Sequence, residues 1–453
     1  MARYNQERFM ILGEHFYQPP RKGAHERVKS IQTDPYGVDW NRVIAGESYV
    51  PQIQAGLLEL SSFDFFATMR KEMENISPES LPDLESALKE RGVGDPYLHV
   101  LLPDLSYGDK QILIGAGAKL FAEQAGQLPQ WFWAPETALD METLEVLSEF
   151  GYIGVICAPE QIDVPNKEID DRPVKIPLPN GKQFLLLAFD RPVSSALAHH
   201  KKENANQFAD EVIFPRLDNL PATLPMIAFT DGETFGHHFK FGDMFLRYLM
   251  ETALPEAGVA MLGINEAMSV WGEGDFLEGN LRERTAWSCP HGDLIRWHGA
   301  CPCDAGFNGS WKANFSSAVS QLNEVMTRII SMEVDDYNSK LIDDFEHIFM
   351  YQGGSSDPET SLLAAKASAM AAMISCGTFF DSPGTSGRIN MLFVRQALEH
   401  LRDAGLTVEA NEMLQTVKNE LHNAINPHTG EYLDEMFADI LQLPEISTSV
   451  IDE

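Results

Sequence analysis

Short apolar runs recur along the first part of this chain, and each gives way to a stretch with helical periodicity. The runs are Phe9–Leu12, Leu98–Leu102, Trp131–Trp133, Tyr152–Cys157, Phe184–Phe189, Pro225–Phe229 and Val259–Leu262. The intervening helical patterns include Pro82–Arg91, Lys110–Ala125, Met141–Phe150 and Phe241–Met250. Runs that are apolar throughout read as strands buried on both faces, and helices between them supply the cover. The alternation therefore predicts a parallel α/β architecture.

The unusual polar residues come just after these runs: His15, Gln18, Glu136, Asp190, Asp231 and Glu233. In parallel α/β folds the ligand site lies at the C-terminal ends of the strands, so this clustering points to an enzyme. After about residue 275 the pattern changes. A segment rich in Trp, Cys, His and Gly runs from Arg284 to Trp311. Helical stretches follow at Ser316–Met332, Asp335–Tyr351, Pro358–Phe380, Ile389–Asp403 and Val408–Ala424. The boundary is placed at residue 275, with a catalytic domain over 1–275 and a helical domain over 276–453. Such a division suits 453 residues.

The formal net charge of −33 argues against a nucleic-acid backbone as partner, which requires clustered Lys and Arg. It fits a neutral substrate and a solvated acidic surface. No stretch is long and apolar enough for a membrane span. Leu362–Phe380 comes nearest, but Lys366 interrupts it and it reads as a buried helix. The N-terminal residues lack the apolar core and cleavage site of a secretory signal, so a cytoplasmic location is expected. Five cysteines fit reduced thiols better than a disulfide framework.

Four segments carry possible chemistry. In His15-Phe-Tyr17-Gln18-Pro19-Pro20, the His, Tyr and Gln side chains are neutral donors and acceptors suited to sugar hydroxyls; a strand ended by proline is the alternative. In Trp131-Phe-Trp133-Ala-Pro135-Glu136-Thr137, Glu136 could serve as nucleophile or acid/base beside indoles that stack on sugars. It could equally be an ordinary helix-start residue, where Pro and Glu are both favoured. Asp231-Gly-Glu233-Thr-Phe-Gly-His237-His238 follows a buried-type strand, and groups of this kind need pairing or a ligand; a divalent metal competes with carbohydrate here. The fourth segment holds Trp287, Cys289, His291, Arg296, Trp297, Cys301 and Cys303. It reads as sugar contact, with zinc as a lesser alternative because the spacing is not that of paired C-x2-C motifs.

Taken in order, these segments resemble glycoside hydrolase family 57. That family carries H-x-H-Q-P-like, W-x-P-E-like and D-G/A-E-x-F-G-H-like segments, matched here at His15–Pro19, Trp133–Glu136 and Asp231–His237. The similarity is narrower still to a branch with features at Asp39–Arg42, Glu47–Pro51, His99, Trp287–Cys303 and Ser375–Asp381. Tyr17 stands where many members have a second histidine.

The resemblance implies a distorted TIM-like (β/α)7 barrel followed by an all-helical C-terminal domain. It implies retaining hydrolysis or transfer on α-glucans, with no cofactor and no metal for the chemistry, and neither nucleic acid nor membrane as partner. Glu136 becomes the expected nucleophile and Asp231 the acid/base. The substrate contacts expected are His15, Gln18, Glu47, His99, Trp133, Glu233, His237, Trp287, His291, Arg296 and Trp297, with segment 284–311 contributing to the active site. Two other readings remain. One is a metal-dependent carbohydrate hydrolase or deacetylase using His15, Asp231 and His237. The other is a non-catalytic glucan-binding protein.

Overall fold

The computed structural model describes residues 3–4, 6–34, 36–165, 172–200, 203–303, 309–354 and 357–443. The chain forms two compact units. One comprises Met1–Pro19 and Thr33–Leu294, the other Pro20–Gln32 and Ile295–Glu453. The chain thus leaves the first unit at Leu294, and a short early segment, Pro20–Gln32, belongs with the helical part.

The strands of the first unit are β1 (Arg8–Phe16), β2 (Ser62–Phe65), β3 (Trp131–Phe132), β4 (Gly154–Cys157), β5 (Ile162–Asp163), β6 (Val174–Pro177), β7 (Gln183–Ala188), β8 (Met226–Asp231), β9 (Val259–Met261), β10 (Leu277–Glu278) and β11 (Asn280–Leu281). β1 lies between β2 and β8, all parallel, and β9 pairs with its beginning. A second sheet runs β10-β6-β7-β4-β3, in which β3, β4 and β7 are parallel and β6 is antiparallel to β7. Two bridges, Phe63 with Gly92 and Gly94 with Phe132, join the sheets through the short parallel segment Gly92–Gly94. On the other side, the Asp190 N–H at the end of β7 donates to the Ile227 carbonyl of β8 at 2.7 Å. The parallel order β8-β1-β2-(92–94)-β3-β4-β7 thus has seven members, which is consistent with the expected (β/α)7 arrangement.

Side-chain alternation sets what each strand residue does. Ile11 joins Trp133, Ile156, Leu187, Ile227 and Phe229 in an inner cluster. Met10 and Leu12 join Met226, Ala228, Phe245 and Leu249 in an outer cluster under the helices. By this parity His15 and Asp231, which are register partners, continue the inner row, and Glu14 continues the outer one. β1 approaches β8 closely because position 13 is glycine: a Cβ there would lie 1.8 Å from the Phe229 ring.

One expected strand is displaced. Leu98–Leu102 is buried but irregular, and runs into a 3-10 turn at Leu102–Asp104. Its place in the strand order is taken by Gly92–Gly94. There a Cβ on Gly92 would meet Leu88 O at 2.4 Å, and one on Gly94 the Tyr152 hydroxyl at 2.6 Å. Close packing selects glycine, the residue that hides a strand from propensity.

The second unit is helical. Its long helices are Trp311–Glu333, Tyr337–Phe349, Pro358–Ala371, Gly384–Asp403 and Thr407–His422. Pro358–Ala371 forms most of the buried helix expected over Leu362–Phe380, but it ends at Ala371, and Cys376–Phe379 is a separate short helix. Lys366 within the longer helix is fully buried, its Nζ donating to Asn323 Oδ1 and Thr327 Oγ1, each at 2.7 Å. Pro20–Gln32 is pinned to this unit: Gln396 Oε1 accepts from the Ala24 and His25 N–H groups, and Arg27 pairs with Glu399 at 2.9 Å and with Asp403. Among the described residues, no helix is long and apolar enough to cross a membrane.

Candidate active site

Glu136 sits beyond β3 in a 3-10 turn, Pro135–Thr137, and not in the following α-helix. That helix, Met141–Glu149, is capped by Asp140, which accepts from the Thr143 N–H. The helix-start explanation for Glu136 is thereby removed. Its backbone is left-handed (φ 58°, ψ 12°), and Thr137 follows with φ 52°. Side chains rarely adopt this region, and where they do the strain tends to mark a functional position. The surroundings hold it there. The Trp287 N–H donates to Thr137 Oγ1 at 2.8 Å and to Glu136 O at 3.2 Å. Thr137 Oγ1–H donates to Gln161 Oε1, and Gln161 Nε2 donates back to Thr137 O at 2.7 Å. The Trp287 indole N–H reaches the Glu136 carboxylate, at 3.4 Å from Oε2.

Trp287 links this acid to the rest of the site. Its ring lies 6.2 Å from His15, 5.7 Å from Trp133 and 6.4 Å from Phe189, all edge to face. It keeps a partly exposed face, whereas Trp133 is 1% exposed and packs among His15, Phe229 and Trp287. Of the two expected stacking indoles here, Trp287 can meet a sugar, and Trp133 backs it.

Asp231 ends β8 opposite His15. Burial raises its carboxyl, while His15 and then His238 pull the other way. Glu233 is pushed to about 8 by burial and by Asp231. The Tyr49 hydroxyl donates to Glu233 Oε2 at 3.1 Å and Gln18 Nε2 to Oε1 at 3.4 Å. Glu136, Asp231 and Glu233 each keep a partly exposed edge within an otherwise buried wall.

His15 is gripped on both sides. Its Nδ1 donates to Asp64, 2.8 Å to Oδ2 and 3.0 Å to Oδ1, and its Nε2 meets His99 Nε2 at 3.3 Å. Tyr17 stacks on His99 with centroids 3.9 Å apart. Burial and the adjacent His15 hold His99 well below the usual histidine value, so it is neutral and accepts.

The other expected contacts lie elsewhere. Glu47 and His237 pair with each other at 2.7 Å, both partly open to solvent. His291 is exposed, its Nδ1 3.5 Å from Cys289 Sγ. Arg296 and Trp297 belong to the helical unit: Trp297 is fully buried near Phe379, and Arg296 lies 4.2 Å over that ring. A fully buried indole has no face for a sugar. Asp190 is a structural cap, accepting from the Val193 N–H and pairing with Arg216 at 2.6 Å. Asp64, Tyr49 and Gln161 were not foreseen. Tyr49 lies in the Glu47–Pro51 stretch that carries the resemblance, though no role was expected of it; Asp64 and Gln161 have no local motif, and only strand register brings Asp64 to His15.

A metal is a separate question. Within the helical unit the ligand atoms of His25, His400 and Asp403 lie near enough to share an ion. Yet the Arg27 N–H donates to His25 Nδ1, so His25 Nε2 carries a proton, which it gives to Asp403 at 3.0 Å. Asp403 also takes Arg27 and the Gly354 N–H. A cation would have to displace both a proton and a guanidinium. His15, Asp231 and His237 do not form a close ligand group among the described residues. Cys301 and Cys303 lie together in the helical unit, the Cys303 N–H 3.4 Å from Cys301 Sγ.

Comparison with known proteins identifies the family and the fold. The model of glycosyl hydrolase family 57 matches residues 4–278, more than half of the chain. No curated protein sequence matches. Among solved structures, the exo-type maltose-forming amylase from Pyrococcus sp. ST04 superposes with a TM-score of 0.70 at 14% identity, covering 95% of this chain and 88% of that one. The GH57-type branching enzyme from Pyrococcus horikoshii gives 0.63 at 14% identity, covering 96% and 94%. The 4-α-glucanotransferase from Thermococcus litoralis gives 0.58 at 14% identity, covering 88% of this chain but 60% of that one. At these identities the structural likeness shows the fold: an α/β core with a helical C-terminal part.

Proposed function

The chain belongs to glycosyl hydrolase family 57, a glycoside-hydrolase-type enzyme, and on that premise we propose that it cleaves or transfers α-glucans with retention. Glu136 is the nucleophile and Asp231 the general acid/base. The observation that carries this reading is the strained, exposed-edged Glu136, tied through the Trp287 indole to the His15–Asp231 end of the strands. The amylase, branching-enzyme and glucanotransferase functions named for the structural relatives favour an α-glucan over other sugars.

In this mechanism Asp231 protonates the departing glycosidic oxygen while Glu136 attacks the anomeric carbon. The resulting glycosyl-enzyme is released when Asp231 takes a proton from water or from an acceptor sugar. Retention needs the two carboxyl groups about 5–5.5 Å apart. Asp231 must start protonated, and burial moves its carboxyl in that direction. Trp287 supplies the apolar face for a sugar ring, and Gln18 and Glu233 supply polar edges.

Incubation with maltooligosaccharides and with glycogen, followed by product profiling, tests the substrate and separates hydrolysis, transfer and branching. Asp231→Asn should lower turnover by roughly 10²–10⁴-fold, and Glu136→Gln should abolish it. Unchanged activity in either variant ends the assignment.

A further inference from the structure

The sequence suggests His15 as a donor to sugar hydroxyls, but its nitrogens are already spent within the protein. Nδ1 is held by both oxygens of Asp64 and Nε2 faces His99 Nε2. The ring is further enclosed by Phe66 at 5.6 Å, Trp133 at 5.4 Å and Trp287 at 6.2 Å. We propose that Asp64 is a positioning residue: it fixes the His15 ring between His99 and the acids that end β8, and thereby sets the acid strength of Asp231. The inference rests on the reading of Asp231 as the general acid/base.

Asp64 is fully buried, and a carboxylate removed from water needs a paired charge and hydrogen bonds. It has both: His15 on one side and the Phe16 N–H at 3.3 Å on Oδ1. The titratable groups facing His15 come from three neighbouring strand ends. Asp64 comes from β2, Asp95 and His99 from the segment after Gly92–Gly94, and Asp231 and Glu233 from β8. Burial alone would lower the imidazole. The Asp64 charge and hydrogen bond, followed by Asp231 and Glu233, overcome it and push His15 to about 9. His15 is thus an imidazolium at neutral pH, and it is the chief influence lowering Asp231 against burial.

The sign of the effect follows. Asp64→Asn keeps the shape and the burial but removes the charge, so His15 falls to or below the ordinary 6.5 and is neutral near pH 7. Asp231 then loses its positive neighbour; loss of the Asp64 charge, a weaker influence of the opposite sign, offsets only part of this, so Asp231 holds its proton to higher pH. The basic limb of kcat/KM, which reports the acid of the free enzyme, moves up.

The test pairs two measurements on the full chain. NMR titration of labelled histidine, with His15 assigned by its absence in His15→Gln, should give a midpoint near 9 in the native protein. In Asp64→Asn it should fall by 2 units or more, on the order of a hundredfold in the proton-binding constant. The pH profile of kcat/KM on a maltooligosaccharide should show the basic limb of Asp64→Asn displaced to higher pH, with Asp64→Glu restoring it. A native His15 midpoint below about 7 overturns the proposal without any variant, so a misfolded Asp64→Asn does not shield it. A basic limb that stays in place while His15 shifts overturns it too. Failure of the underlying reading looks different: Asp231→Asn would then turn over glucan normally, whatever His15 does.

Discussion

The left-handed backbone at Glu136 has a cost that substitution can expose. An L-residue in this region is less stable than in the right-handed one by about 1–2 kcal/mol. Glycine avoids that cost but loses more conformational freedom on folding, about 0.5–1 kcal/mol. The Glu136 side chain is partly exposed and accepts a 3.4 Å hydrogen bond from the Trp287 indole, and its contacts are lost alike in an alanine and in a glycine variant. Glu136→Ala removes the side chain and keeps the strain, whereas Glu136→Gly removes both. The Gly variant should therefore be more stable than the Ala variant by about 0.5–1 kcal/mol, while both are inactive. Urea unfolding of the two proteins side by side, at constant m-value, reads the difference as a shift in midpoint. If the backbone at Glu136 were unstrained, only the entropy term would remain, and the Gly variant would be the less stable of the two. That order would refute the claim that the fold holds Glu136, the proposed nucleophile, under strain.

Two further outcomes follow from groups outside the reaction. Glu14 is fully buried on the outer row of β1, and burial pushes it from 4.5 to about 8 against a weaker lowering pull from the Ser61 hydroxyl. A carboxyl raised in the fold contributes stability that is whole below about pH 4.5 and is lost as pH rises through 8; a shift of this size corresponds to on the order of 5 kcal/mol. Glu14→Gln should flatten the decline in melting temperature between pH 5 and pH 9, and an unchanged slope would count against a neutral buried Glu14. Exhaustive chelation should leave glucan turnover intact, because neither the proposed nucleophile nor the proposed acid/base calls for a metal. Lost activity together with stoichiometric zinc by elemental analysis would instead favour the metal-dependent reading.

Much of the α/β unit was legible in the chain itself. Strands such as Phe9–Leu12 and Pro225–Phe229 announce themselves because a strand buried on both faces must be apolar throughout. The polar residues that break those runs, His15 and Asp231, stand out for the same reason. The ordered motifs add the family, and with it the expectation for Glu136. Illegible stretches were those where packing geometry, not polarity, chose the residue. Gly92–Gly94 is a strand written in glycine because neighbouring side chains leave no room for a Cβ. Asp190 looks like a site residue by position and is a helix cap by geometry.

What sequence determined, then, is the class of fold and which strand ends carry acids, since burial and periodicity act on each segment alone. Tertiary structure decided how those ends act on one another. Only the register of β1 with β2 puts Asp64 against His15, turning a candidate sugar donor into a buried, charge-holding ring. The turn after β3, braced by Gln161 and Trp287, likewise holds Glu136 in a backbone state that its own sequence disfavours. Exposure separates Trp287 from Trp133 and Trp297, which are the same residue type by any local measure. Charge pairing, strain and exposure depend on neighbours distant along the chain, and so are settled only when the strands and loops are packed together.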